Sequence, residues 1–139
     1  MGTRSTIAIQ NEDGTVTGIY CHWDGYLSHN GRILQEFYTT EAQVRELLAL
    51  GDLSSLGANI GERHDFNAAD TATTLAETVC TAYGRDRGET DVEARVFNSH
   101  ADLIENAGQE YDYLFVPGEG WRVDGEPLAE ELERDAQAA

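Results

Sequence analysis

The sequence contains no lysine. All nine of its basic residues are arginines, at positions 4, 32, 45, 63, 85, 87, 95, 122 and 134. Against them stand 26 acidic residues, for a net formal charge of −17. A protein that binds duplex nucleic acid without sequence preference needs a basic face to displace counterions, so this balance excludes that class. It leaves room for one local positive pocket and therefore for an anionic small molecule. A heavy acid load without lysine is expected of a protein working in concentrated salt, where ions screen the self-repulsion that opposes folding. A GC-rich genome would also write arginine for lysine, but it does not account for the acid excess.

Other absences narrow the field further. No apolar stretch is long enough to span a bilayer. Residues Met1 to Thr6 lack the apolar core of a signal peptide. The expectation is therefore a cytoplasmic protein with no membrane partner. Met1, Gly2 and Thr6 fit the loose myristoylation pattern, but a β-branched run begins at once, and we read the segment as strand. Two cysteines, Cys21 and Cys80, make no disulfide framework, and both sit in apolar strand-like segments as buried thiols. The histidines, His22, His29, His64 and His100, show no zinc spacing. No metal or cofactor is expected, and His22 with Asp24 and His29 is the one set a metal could bridge. There is no nucleophile elbow, P-loop or dinucleotide fingerprint. Carboxylates are so abundant that no acid–base pair stands out.

The 139 residues suit one domain. Residues 6–10 and 15–21 are rich in β-branched residues and flank an Asp13-Gly14 pair, which predicts a hairpin. Ile33, Leu34, Phe37 and Tyr38 recur at helical spacing over 30–38. Thr40 with Gln43 reads as a capping box opening a helix over 40–50. Leu53, Leu56 and Ile60 fall in a short turn-rich segment, and 61–73 read as a polar surface loop. Residues 78–83 predict a strand, 92–97 an extended segment, and 98–105 a short helix with a polar cap. Residues 111–116 and 120–124 form a second hairpin. Pro127 starts a last helix whose apolar face is Leu128 and Leu132. The sum is an α+β fold: a mostly antiparallel sheet built from hairpins, with helices packed on one face. Residues 1–125 read as the domain and 126–139 as an acidic C-terminal helix or tail, of which only the last ten or so residues look dispensable.

Two segments gather costly residues beside glycine. In His22-Trp23-Asp24-Gly25-Tyr26, Trp23 and Tyr26 offer flat faces for stacking a base, with His22, Asp24 and Asn30 to read polar edges. Trp23 equally reads as core at the sheet edge, the commoner place for a tryptophan; both readings stand. In Tyr83-Gly84-Arg85-Asp86-Arg87-Gly88, Arg85 and Arg87, with Arg4, have the fork geometry that matches phosphate. The alternative is a solvated turn in which Asp86 ties down one arginine.

These two segments, with the opening Met1 to Ser5, residues 30–34, 50–57, 111–115 and 120–123, resemble a family of small phage and prophage proteins. The resemblance covers most of the chain up to about residue 124. By analogy of size and chemistry it implies an anti-defence role: a "sponge" that binds and sequesters a nucleotide-derived immune messenger, of cyclic nucleotide or cyclic ADP-ribose type, without cleaving it. It implies a homo-oligomer, because pockets of this kind lie between subunits. The ligand site would comprise Arg4, His22, Trp23, Asp24, Tyr26, Asn30, Tyr83, Arg85 and Arg87. The acidic, lysine-free surface would suit a virus of a halophilic host. The alternatives are a small enzyme acting on such a ligand, with His22 as general acid–base oriented by Asp24, or a protein-binding phage factor.

Overall fold

A computed structural model describes residues 3–68 and 71–138. Met1 and Gly2, and positions 69 and 70 of the expected loop, lie outside these residues.

Strands β1 (Ser5–Gln10) and β2 (Val16–Cys21) form the expected hairpin, in register from Ser5 opposite Cys21 to Gln10 opposite Val16. The Asp13 carboxylate fixes the turn by accepting from the Thr15 backbone N–H at 3.0 Å. Side chains alternate across a strand, so each register pair commits to one face. Ile7, Ile9, Ile19 and Cys21 face the larger core, and Ala8 and Val16 face a smaller one. Among the described residues eight strands join one sheet, in the order β4-β3-β2-β1-β6-β7-β8, with β5 also on β2. The others are β3 (Leu53–Ser55), β4 (Thr81–Ala82), β5 (Arg95–Phe97), β6 (Tyr111–Val116), β7 (Gly120–Val123) and β8 (Glu126–Pro127). The second hairpin, β6 with β7, forms as expected.

The fold is α+β and mostly antiparallel, but two pairings are parallel: β1 with β6 and β2 with β3. Parallel neighbours need a long crossover. The helical residues between β2 and β3 provide one, and no local sequence signal announces it.

The larger core is roofed by α1 (Arg32–Phe37), α2 (Glu41–Leu48) and α5 (Leu128–Ala138), which bury Ile33, Leu34, Val44, Leu47 and Leu128. Full burial of each such side chain contributes about 1.5–3 kcal/mol. A π-helical turn at Leu27–Gly31 leads into α1. The capping box of α2 is present in both directions, with Thr40 accepting from Gln43 N–H and the Gln43 side chain accepting from Thr40 N–H. Tryptophan and tyrosine donors lock the layer: Trp121 Nε1–H donates to the Tyr38 carbonyl at 2.8 Å, and Tyr113 Oη–H to the Gly25 carbonyl at 2.6 Å.

The single helical layer holds for α1, α2 and α5. Helix α4 (His100–Ala107) lies on the opposite face, where Leu103 packs in the smaller core. Gly18 makes the room: a Cβ there would stand 2.7 Å from Leu103 Cδ1. The last helix packs through the expected face: Leu128 is fully buried and Leu132 packs against the larger core.

The segment around residues 78–88 also differs from its sequence reading. The strand expected over 78–83 is only Thr81–Ala82, and Tyr83–Arg87 is a short helix, α3, closed by Gly88 at φ +77°. Gly88 is thus a helix terminator in the left-handed region. Cys21 and Cys80 are buried thiols, and burial pushes the Cys21 thiol up to about 12. Among the described residues no helix is long and apolar enough to cross a membrane.

Candidate ligand-binding face

The strand pairing of β2 runs on past Cys21. His22 N–H donates to the Leu53 carbonyl and Trp23 N–H to the Ser54 carbonyl, both at 3.0 Å. This fixes the backbone of both residues at the open end of the sheet. Tyr20 and His22, two residues apart, share a face, and Tyr20 Oη and His22 Nδ1 share a 2.7 Å hydrogen bond. The Trp23 ring stands edge-on to the His22 ring, with centroids 4.7 Å apart. Trp23 is 43% exposed. It is a surface residue, which removes the core reading. Exposed Arg4 lies beside this row: burial raises the Tyr20 phenol, and the Arg4 charge opposes that rise.

The rest of the loop divides. Asn30 is fully buried, and its Nδ2 donates to Ser5 Oγ at 3.3 Å and to the Trp23 carbonyl at 3.4 Å. It holds the loop from the core side, which leaves it out of reach of a ligand on the Tyr20–His22 face. Asp24, at φ +56°, accepts from Asn30 N–H at 3.2 Å through its carbonyl. Tyr26 is 40% exposed and packs on His29 with ring centroids 6.1 Å apart. Among the described residues the rings of Trp23 and Tyr26 do not meet, so the two aromatics do not form one sandwich. Nor does Asp24 orient His22; Tyr20 does.

The second segment also divides. Arg85 is spent on the fold. Its Nε donates to Asp86 Oδ1 at 3.0 Å, its Nη1 to the Ile60 carbonyl at 2.7 Å, and its Nη2 to the Cys80 carbonyl at 2.8 Å. The Asp86 side chain is wholly buried and also accepts from the Ala82 and His64 N–H groups. Burial works against its charge, but the Arg85 guanidinium and these backbone donors outweigh it and hold the carboxyl below its ordinary value. Arg87 is different. Its side chain is more than half exposed, it pairs loosely with Glu89 at 3.3 Å, and its guanidinium sits 5.0 Å above the Phe66 ring. Phe66 in turn packs on Tyr83, with centroids 5.5 Å apart.

Asp52 ties the two segments together. Its Oδ1 accepts from Tyr20 N–H at 2.9 Å and its carbonyl accepts from Tyr83 N–H at 3.3 Å. The Tyr83 phenol is raised by burial, with Tyr20 among the neighbours adding to the rise. The result is a broken aromatic band, Trp23–His22–Tyr20 and then Tyr83–Phe66, with Arg4 beside one part and Arg87 on the other. Tyr20, Asp52 and Phe66 were not singled out from the sequence. Tyr20 was accessible through the two-residue strand period that places it with His22; Asp52 and Phe66 carried no local signal.

A cavity of about 280 Å³ lies between this sheet face and α4, lined by Tyr20, Asp52, Arg95, Asn106 and Gln109 among others. A broader hollow of about 590 Å³ is lined by Arg63, His64 and Phe66 among others. None of the nine residues expected to bind ligand lines either one. Among the described residues, no three His, Cys, Asp or Glu side chains are grouped to hold a metal ion. Comparison with protein-family models, with curated proteins and with solved structures gives no match.

Proposed function

We propose that this protein binds a nucleotide-type small molecule on the aromatic band and releases it unchanged. One observation carries the reading: a tryptophan that is 43% exposed is nonetheless braced, by the His22 ring at 4.7 Å and by backbone pairing of its own N–H. A fixed, solvent-facing indole gives a ligand its stacking surface at little ordering cost, and such stacking contributes about 1–3 kcal/mol per base. Exposed Arg4 and Arg87 supply charge for phosphate in a chain that is otherwise strongly negative. In the setting the resemblance implies, sequestration of a cyclic nucleotide or cyclic ADP-ribose messenger would make the protein an anti-defence sponge acting in the host cytoplasm as a homo-oligomer.

The test is recovery. Protein incubated with a panel of cyclic nucleotides and ADP-ribose derivatives is separated from free ligand, heat-denatured, and the released compound weighed by mass spectrometry. Recovery of a panel member with its mass unchanged is the expected result. Recovery of a hydrolysed or transferred product would replace the sponge by an enzyme.

A further inference from the structure

The outer edge of β2 is shared: β5 pairs with it at residues 16–18 and β3 at Cys21. Tyr20 falls in the gap between them, and the Asp52 side chain closes the ladder there by accepting its N–H. The cavity under α4 opens at this gap. Its volume of about 280 Å³ lies at the lower limit for a small-molecule site, which suits a fragment such as a sugar phosphate better than a whole nucleotide.

Acceptors predominate among the unsatisfied atoms of the neutral and acidic lining side chains. Asp52 uses Oδ1 for Tyr20, and its Oδ2 has no hydrogen-bond partner among the described residues. Asn106 Nδ2 donates to the Asp102 carbonyl and to Asp102 Oδ1, at 3.1 and 2.7 Å, and Gln109 Nε2 donates to the Ala107 carbonyl at 3.1 Å. Because those partners are all acceptors, the amide orientations are fixed; both amide oxygens are left over, together with one N–H of Gln109 Nε2. Three acceptors together ask for a ligand that donates several hydrogen bonds. Arg95 excludes a simple amine. Its guanidinium rests 5.2 Å above the Phe97 ring, forms no ion pair among the described residues, and lies close enough to Asp52 for its charge to act on that carboxyl. Donors beside one free cation describe hydroxyls beside a phosphate.

We infer that this cavity is a ribose-phosphate subsite, in which Asp52, Asn106 and Gln109 accept from the sugar hydroxyls and Arg95 holds the phosphate. The inference rests on the nucleotide reading and sharpens it: the ligand is a ribonucleotide. Tyr20, which lines the cavity and bonds His22, joins the subsite to the stacking face.

The experiment titrates the full chain with 5′-AMP, 2′-deoxy-5′-AMP, 2′,3′-dideoxy-5′-AMP and ribose 5-phosphate, following side-chain amide resonances of Asn106 and Gln109 by NMR. Binding should weaken along the series from AMP to the dideoxy form by about ten- to hundredfold, the cost of lost bonds to a charged acceptor. Asp52→Asn keeps an acceptor for Tyr20 N–H and should bring AMP down to the dideoxy level. Arg95→Ala, at an exposed position, should weaken all four probes. Equal affinity for AMP and its dideoxy form, with Trp23→Ala weakening both, would overturn the ribose subsite and leave the nucleotide reading standing. Ribose 5-phosphate binding that shifts both amides, with no gain from adenine, would uphold the subsite and remove the stacking reading. No binding by any probe would overturn the subsite.

Discussion

Arg85 and Trp23 exchange the roles their types suggest. A guanidinium beside glycines reads as a phosphate fork, yet only 18% of the Arg85 side chain is exposed and it spans three stretches of chain through Ile60, Cys80 and Asp86. Removing one partner of a buried ion pair costs about 3–5 kcal/mol because the other is left uncompensated. Asp86 keeps two backbone donors, so Arg85→Ala should cost about 3 kcal/mol of folding stability, seen as a lower Tm, while any ligand affinity of the remaining folded protein is unchanged. An unshifted Tm with weakened binding would restore Arg85 to the site. The sequence could not separate Arg85 from Arg87, which sits two positions away and keeps its guanidinium over Phe66. Which arginine turns inward is decided by the Ile60 and Cys80 carbonyls, and those are brought there only by the fold.

Helix α4 is the element on which the pH response turns. His100 opens it, half-buried, with an Nε2 that has no hydrogen-bond partner among the described residues. Burial lowers its pKa, against the charges of Asp112 and Asp124, which favour the protonated ring. The folded state therefore prefers neutral imidazole. That preference stabilises fully above the unfolded value of about 6.5 and is lost as pH falls through the lower folded value. His100→Gln removes it. The Tm advantage of wild type over the variant should shrink from pH 7 to pH 5, measured as a difference so that the titration of carboxylates away from His100 cancels; parallel curves would contradict it. Elements announced by local chemistry were legible: the Asp13-Gly14 hairpin, the Thr40 capping box, the Ser99-capped α4 and the 111–123 hairpin. The parallel pairs β1–β6 and β2–β3 were not, because pairing between distant segments leaves no local trace. Helix α3 was missed because an apolar run before a glycine reads as strand and turn. Gly88, at the end of that segment, is the helix terminator, in the left-handed region.

At the scale of the molecule, a net charge of −17 opposes both compaction and the approach of an anionic ligand. Exposed arginines offset this only locally, so phosphate contacts through Arg4 and Arg87 should weaken in salt, whereas stacking on Trp23 should persist. Much of the candidate face was readable, since His22, Trp23, Tyr83, Arg4 and Arg87 lie on or beside the aromatic band. Asn30 and Arg85 turned inward because each satisfies buried backbone or side-chain groups that no sequence pattern displays. The central claim is that Trp23 binds rather than supports. Calorimetric titration of wild type and Trp23→Ala with the nucleotide panel in molar potassium chloride tests it directly. At least one member should bind wild type, the variant should bind it about ten- to hundredfold more weakly, and the two proteins should share one Tm. A variant that melts early and binds as well as wild type, or a wild type that binds nothing in the panel, would contradict it.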